Sequence, residues 1–170
     1  KDFLKEGGLF IVDPVMGDNG MLYSHFDQKF VEEMKSLCRI ADIVVPNLTE
    51  ACFLTDTPYA PMSEHDYTSI LLKLKELCSR PSVTGCDICE NGQKRSTVFY
   101  TATDGSVKKY STEKIDGAFH GAGDVYASAL VGALARGVSM DKAVQISADF
   151  TKNSIAQTKA DQTEARFGLN

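Results

Sequence analysis

Short apolar runs alternate along this chain with longer segments in which apolar residues recur at helical spacing. The runs GLFIVD at 8–13 and ADIVVP at 41–46 are rich in Ile and Val, as is typical of buried strands. The segments 27–40 and 63–79 each place apolar side chains on one helical face. This order of strand and helix predicts an α/β fold with a mostly parallel sheet that helices cover on both faces.

Each helical segment has one predicted buried face. In the first segment this face comprises Phe30, Met34, Leu37 and Cys38. The second segment starts with Ser63 and Asp66, which have the spacing of a capping box. Its predicted buried residues are Tyr67, Ile70, Leu71, Leu74 and Leu77.

The second half of the chain has a less regular pattern. Its predicted elements are the end of a short strand at 81–85, a β-hairpin from 96–102 and 106–112, and two helices at about 124–136 and 140–158. A chain of 170 residues can bury one sizeable core. We therefore expect a single domain over residues 1–170.

Composition and charge exclude some classes of function. Hydrophobic residues make up 43% of the chain and charged residues 24%, which is typical of a soluble globular protein. The net charge of -5 offers no basic surface for nucleic acid. No apolar run approaches the roughly 20 residues that cross a membrane. The first residues, KDFLKEGG, are unlike a signal peptide, so we expect a cytoplasmic protein.

The five cysteines are odd in number and scattered, which favours a reducing compartment over a disulfide framework. Cys86 and Cys89 form one C-x-x-C pair. A zinc site needs further ligands, and none of the three histidines has ligand spacing. We interpret the cysteines as buried thiols.

Polar residues and glycines follow each of the predicted strands. Asp13 ends the first strand, Asn47 follows the second, and Thr84 and Gly85 follow the third. Ligands of parallel sheets collect outside the carboxyl ends of the strands. We therefore expect these segments, together with the glycine-rich segment before residue 124, to meet at one edge of the sheet.

The sequence FHGAGDVYASAL at 119–130 places two glycines before an aspartate and a helix. Gly121 and Gly123 let backbone N–H groups approach a ligand, and the helix N-terminus favours an anion. Asp124 can be read in two ways. It either caps the helix or accepts a proton from a hydroxyl that attacks a bound phosphoryl group.

Two further carboxylates, Asp18 and Glu50, follow different strands. Near a phosphate site they could hold Mg²⁺, which prefers hard oxygen ligands. The alternative makes Asp18 a turn residue and Glu50 an exposed residue in the first turn of a helix. Thr84 could donate a hydrogen bond to a phosphate.

Four motifs together resemble the ribokinase-like superfamily, and within it most closely the pyridoxal kinases. They are DPVMGDNGMLY at 13–23, PNLTEACFLT at 46–55, VTG at 83–85 and FHGAGDVYASAL at 119–130. They occur in that family's order over residues 9–136. The resemblance implies a three-layer α/β/α fold and ATP-dependent phosphorylation of the hydroxymethyl group of a vitamin B6 vitamer.

The resemblance also implies roles for individual residues. Asp124 would be the catalytic base, and the backbone of Gly121, Ala122 and Gly123 would form the anion hole for the transferred phosphoryl group. Asp18 and Glu50 would hold Mg²⁺. The nucleotide phosphates would be bound by Asp13, Asn47, Thr84 and Gly85. A monovalent cation is an additional cofactor that the family leaves open.

The chain departs from the family pattern at Ala122, at Val45, which precedes PN where some members have a polar residue, and in the part before the first motif. Ala122 replaces the more usual threonine, which removes a hydroxyl that could touch a phosphate. The family also has a substrate-binding half before the first motif, so we expect this chain to be the C-terminal, ATP-binding and catalytic portion of a longer kinase. The full-length protein is expected to be a homodimer.

Alternative functions stay open at this point. A hydroxymethylpyrimidine phosphate kinase shares the fold, although its glycine motif usually ends in cysteine where this chain has Asp124. A sugar or nucleoside kinase of the superfamily is a second alternative. A non-catalytic nucleotide-binding module is a third, which the three retained carboxylates disfavour.

Overall fold

The computed structural model describes residues 4–161, which form five helices and seven strands. The helices are α1 (Gln28–Ile40), α2 (Leu48–Leu54), α3 (Glu64–Leu77), α4 (Ala122–Ala135) and α5 (Met140–Ala160). The strands are β1 (Ile11–Val12), β2 (Gly17–Asp18), β3 (Met21–Leu22), β4 (Ile43–Val44), β5 (Ser82–Glu90), β6 (Gln93–Thr101) and β7 (Val107–Glu113). The predicted α/β class is confirmed.

Parallel pairing brings β1 beside β4, with Val12 opposite Val44. A parallel bridge also joins Asn47 to Thr84, so the start of β5 lies beside the segment that follows β4. The predicted strand at 8–13 is shorter than expected. Its ladder stops because Pro14 has no N–H group and because the N–H of Phe10 donates to the Asp42 carboxylate (2.7 Å) instead of to a strand.

The remaining strands pair with their neighbours in sequence. Strands β2 and β3 form a small antiparallel hairpin, and β5, β6 and β7 form a sheet in that order. The hairpin predicted for 96–102 and 106–112 is confirmed, and the N–H of Ala102 donates to the carbonyl of Ser106 at its turn (2.8 Å).

The chain forms two compact units, which are described separately. The first comprises Lys1–Cys86 and Phe99–Lys108, and its helices α1, α2 and α3 pack against one another. The second comprises Asp87–Val98 and Lys109–Asn170, and in it α4 packs along α5. The single-domain expectation stays a prediction.

Helix α1 buries only part of the predicted face: Cys38 is buried as expected, and Phe30 and Met34 are half-buried. Its buried residues are Val31, Lys35 and Cys38, whereas Leu37 is exposed. Lys35 lies inward because its ammonium group donates to Asp56 (2.8 Å) and Glu32 (2.9 Å). Burial alone would lower the pKa of Lys35, but the two hydrogen bonds and the negative charges of the same carboxylates together raise it.

Helix α3 forms as predicted, with reciprocal capping by Ser63 and Asp66. The expected buried face is confirmed for Tyr67, Ile70, Leu71 and Leu74, while Leu77 is half-buried.

Two predicted boundaries are wrong. Strand β5 does not end at 85 but continues through Gly85, whose φ of 72° is accessible to glycine without strain. Helix α4 begins at Ala122 rather than near Asp124, because Gly121 already serves as its N-cap.

The cysteines are free thiols, and four of the five are buried as expected. Cys89 is exposed, because it lies at an outward position of the alternating strand β5. Among residues 4–161, no helix is both long and apolar enough to cross a membrane.

Candidate active site

Three of the predicted site residues meet at one edge of the parallel strands in the first unit. Asp13 directly follows β1, and the N–H of Val45 donates to the carbonyl of Val12 (2.9 Å). On the other side, the N–H of Thr84 donates to the carbonyl of Pro46 (3.0 Å) and Thr84 pairs with Asn47. The carboxyl ends of these strands therefore bring Asp13, Asn47 and Thr84 together, as parallel pairing requires.

Asn47 uses its side-chain amide to organise the chain around it. Its Oδ1 accepts from the N–H of Glu50 (3.0 Å), which caps α2. Its Nδ2 donates to the carbonyl of Gly17 in the following hairpin (2.9 Å). Both ends of the amide are engaged, so Asn47 holds α2 and the hairpin β2–β3 in one arrangement.

Glu50 is 3% exposed, which contradicts the alternative that made it an exposed first-turn residue. One carboxylate oxygen accepts from the N–H of Met16 (3.0 Å), and the other accepts from the N–H of Asn47 (2.9 Å). Burial raises the pKa of Glu50 to about 7, although the backbone hydrogen bonds act in the opposite direction. The nearby carboxylate of Asp13 raises it further.

Asp18 lies on the surface, at the turn of the hairpin β2–β3. Its carboxylate accepts from the backbone N–H (2.8 Å) and the side-chain amide (2.9 Å) of Asn19. The hydrogen bonds to Asn19 agree with the turn role that the sequence left open. They leave carboxylate lone pairs available to a cation.

Within residues 4–161, no group of three or more His, Cys, Asp or Glu side chains is arranged to hold a metal ion. Mg²⁺ does not need such a group, because it usually binds one or two carboxylates, several waters and the phosphates of a substrate. A buried carboxylate at Glu50 and an exposed one at Asp18 fit that donor set. Both belong to segments that Asn47 ties together.

Thr84 and Gly85 offer a surface that a phosphate could approach. In the part of the chain that the structure describes, the Thr84 hydroxyl makes no hydrogen bond. Gly85 is exposed, and a Cβ placed on it would lie 4.0 Å from the backbone nitrogen of Leu48 at the start of α2. These two residues lie within β5, not after it as predicted.

The glycine-rich segment belongs to the second unit and opens α4. Gly121 is the N-cap, with a φ of 84°, and no side chain within the described residues caps this helix. Gly123 has open space where a side chain would be. The first N–H groups of α4 are therefore available to an anion, which the helix dipole also favours.

Asp124 is the third residue of α4 and is exposed. Its carboxylate makes no hydrogen bond or ion pair with any residue that the structure describes. The alternative in which Asp124 caps the helix is therefore wrong. The side chain is free to accept a proton from a group bound at the helix N-terminus.

Sequence reasoning placed Glu50 in the first turn of a helix only as an alternative, and it missed the contact that Thr49 makes with Gly20 (2.9 Å). A signal was present, because the sequence NLTE has the N-cap-to-N3 spacing of a capping box. The seven residues of α2 are too few to show helical periodicity.

Comparison with known proteins gives a consistent set of likenesses. The family model described as Phosphomethylpyrimidine kinase matches residues 2–167. A curated Caenorhabditis elegans protein named "Putative pyridoxal kinase" is 30% identical over 135 residues, which are 77% of this chain and 41% of the worm protein.

Two crystal structures share the fold. A "putative phosphomethylpyrimidine kinase" from Bacteroides thetaiotaomicron matches with a TM-score of 0.88 and 29% identity, over 99% of this chain and 58% of that chain. Pyridoxal kinase from Leishmania donovani, in complex with ADP and pyridoxamine, matches with a TM-score of 0.74 and 27% identity, over 90% and 50%. The chain thus spans about half the length of these relatives. These matches confirm the resemblance drawn from the four motifs.

Proposed function

Because this chain belongs to the phosphomethylpyrimidine kinase family, we propose that the protein is an ATP-dependent kinase of vitamin B6 vitamers. It would transfer the γ-phosphoryl group of ATP to the 5′-hydroxymethyl group of pyridoxal, pyridoxine or pyridoxamine. The name of the worm relative and the ADP and pyridoxamine bound to the Leishmania enzyme support this substrate class.

The observation that carries the proposal is the start of α4: among residues 4–161, no side chain caps this helix N-terminus, and the Asp124 carboxylate beside it has no partner. An anion site alone would gain nothing from Asp124, since a carboxylate repels a phosphate. A kinase needs both, because the phosphoryl group must be held while the attacking hydroxyl loses its proton.

The proposed reaction proceeds in one displacement. The vitamer hydroxyl oxygen attacks the γ-phosphorus, the bond to the β-phosphate oxygen breaks, and ADP leaves. The hydroxyl proton passes to the carboxylate of Asp124, which later releases it to water. The N–H groups at Gly121, Ala122 and Gly123 stabilise the negative charge on the phosphoryl oxygens during the transfer.

The sheet edge of the first unit has the groups that a nucleotide requires. Thr84 would donate its hydroxyl to a phosphate, and Gly85 would let the chain pass close to it. Asn47 and Asp13 would act mainly by organising this edge, because the amide of Asn47 is already engaged.

Mg²⁺ would be held by Asp18 and Glu50 together with phosphate oxygens and water. When bound, it supplies charge neutralisation on the phosphates. Burial raises the pKa of Glu50 to about 7, and a cation beside the carboxylate would favour its ionised form.

A second candidate is phosphorylation of a hydroxymethylpyrimidine or its phosphate, which the description of the family model favours. For the hydroxymethylpyrimidine, the chemistry is the same displacement by a hydroxymethyl group of a nitrogen heterocycle, whereas for its phosphate a phosphate oxygen would attack and a diphosphate would form. We rank it second because the relatives named above include enzymes named for pyridoxal and because Asp124 takes the place of the cysteine usual in that group.

Substitution of Asp124 tests the proposal. In the full-length gene product, Asp124→Asn should keep nucleotide affinity and lose about 10²–10⁴ in kcat, the usual contribution of a general base. Asp141→Asn is the matched control, because Asp141 also lies in the first turn of a helix, α5. Near-normal turnover of Asp124→Asn would contradict the proposed role, as would an equal loss in the control.

A further inference from the structure

The hairpin β2–β3 carries Asp18 and has only two residues in each strand. A two-stranded hairpin of this size is not stable by itself in water. Its turn also uses two left-handed residues, Asn19 (φ 51°) and Gly20 (φ 78°), which is the conformation of a type I′ turn. Contacts from outside the hairpin must therefore hold it in place.

Those contacts come largely from α2 and the chain after it. At one end, Asn47 donates to the carbonyl of Gly17. At the turn, the N–H of Gly20 donates to the hydroxyl oxygen of Thr49 (2.9 Å). The ring of Tyr59 lies against Gly20 so closely that a Cβ at this position would be 2.6 Å from its Cδ1.

Thr49 makes the side-chain hydrogen bond to the turn. It is 3% exposed, although it is a polar residue on a short helix. A buried hydroxyl is retained at a cost unless it is hydrogen-bonded, and the partner of this hydroxyl is the backbone N–H two positions after Asp18. Glu50, the next residue, binds the N–H of Met16 just before the hairpin.

We propose that Thr49 is a positioning residue, which fixes the turn 18–20 through the N–H of Gly20 and thereby sets where the Asp18 carboxylate meets Mg²⁺ and the nucleotide phosphates. This inference rests on the proposed function, since that function assigns Asp18 to the metal. Thr49 and Glu50 are adjacent on α2. One short helix therefore carries the Glu50 carboxylate and, through Thr49, positions the Asp18 carboxylate.

The test compares three variants of the full-length gene product. Thr49→Val removes the acceptor while keeping the shape of the side chain, and Thr49→Ser keeps the acceptor. Thr55→Val is the matched control, because the Thr55 hydroxyl bonds within the end of α2 and to Thr57, away from the hairpin.

Three readouts are needed, namely calorimetric binding of ADP over a Mg²⁺ titration, kcat over the same titration, and hydrogen exchange of the Gly20 amide. Loss of a residue that orients a metal ligand typically weakens metal affinity by 10–100-fold, so Thr49→Val should raise the half-saturating Mg²⁺ concentration about 10-fold. Thr49→Ser and Thr55→Val should stay near wild type. Exchange of the Gly20 amide proton should become faster in Thr49→Val alone.

The inference is overturned if Thr49→Val speeds exchange at Gly20 but leaves the Mg²⁺ dependence of ADP binding unchanged. It is also overturned if Thr55→Val weakens binding equally, because the effect would then be general destabilisation. If the wild type phosphorylates no vitamer, the proposed substrate class fails. The calorimetric comparison still decides the role of Thr49 in that case.

Discussion

The carboxylate of Glu50 accepts a hydrogen bond from the backbone N–H of Met16, a residue 34 positions earlier in the chain (3.0 Å). The same carboxylate closes the capping box of α2 through the N–H of Asn47. One buried side chain therefore joins the start of a helix to the segment that leads into the hairpin β2–β3. Its protonation state couples the fold of this region to pH.

This coupling has a defined sign. The pKa of Glu50 in the folded protein is about 7, above the ordinary value of 4.5, so folding favours the protonated form. The stability that this residue contributes is fully present below about pH 4.5 and is lost as pH rises through about 7. Relative to Glu50→Gln, the wild type should lose about 2–3 kcal/mol of unfolding free energy between about pH 5 and pH 8.

Urea unfolding of both proteins without divalent cations measures this difference. Gln loses one of the two backbone hydrogen bonds at every pH, which shifts the difference by a constant and does not alter its slope. A difference in unfolding free energy that stays constant across the pH range would contradict the burial of an ionisable Glu50.

The paired carboxylates predict a common dependence on magnesium. Glu50→Gln and Asp18→Asn should each raise the half-saturating Mg²⁺ concentration for turnover by about 10-fold or more. The double variant should be less impaired than the two effects added, because both groups act on one site. Glu33→Gln, an exposed carboxylate on α1, controls for loss of surface charge. If the Mg²⁺ titration curves of both single variants overlay that of the wild type, Asp18 and Glu50 do not bind Mg²⁺.

Lys35 provides a prediction about stability alone. Its side chain is 7% exposed, and its charge depends on Asp56, a residue at φ 50° that Asn can replace without strain. Asp56→Asn should cost about 1–3 kcal/mol of unfolding free energy, because it leaves a buried ammonium group with one partner fewer. In a Lys35→Met background the same change should cost less than about 0.5 kcal/mol. Equal costs in both backgrounds, measured by urea unfolding, would show that the ion pair is not the cause.

The sequence predicted features that depend on local patterns. The capping pair Ser63 and Asp66 and the turn at 103–105 are encoded within a few residues, and the structure has both where they were expected. The meeting of Asp13, Asn47 and Thr84 also followed from sequence, since parallel strands place their carboxyl ends at one edge.

Features that depend on distant partners could not be predicted in this way. Lys35 is buried with its ammonium group bonded to Asp56, which lies 21 positions away. Glu50 is buried with its carboxylate bonded to the N–H of Met16, 34 positions away. A pattern of polar and apolar residues shows neither partner and therefore places both side chains at the surface. The end of β5 was misjudged because Gly85 signals a turn in most chains. Here its left-handed conformation continues the strand.

The most direct test of the proposed vitamin B6 kinase activity is a substrate panel. The full-length gene product, with Mg²⁺ and ATP, would be offered pyridoxal, a 5-hydroxymethylpyrimidine and a pentose at equal concentrations, with mass spectrometry and phosphorus NMR identifying each product. We expect pyridoxal 5′-phosphate to form with a kcat/KM at least about 10-fold above that for the pyrimidine, a difference of about 1.4 kcal/mol in transition-state binding. Faster phosphorylation of the pyrimidine, or no transfer to any of the three, would contradict it.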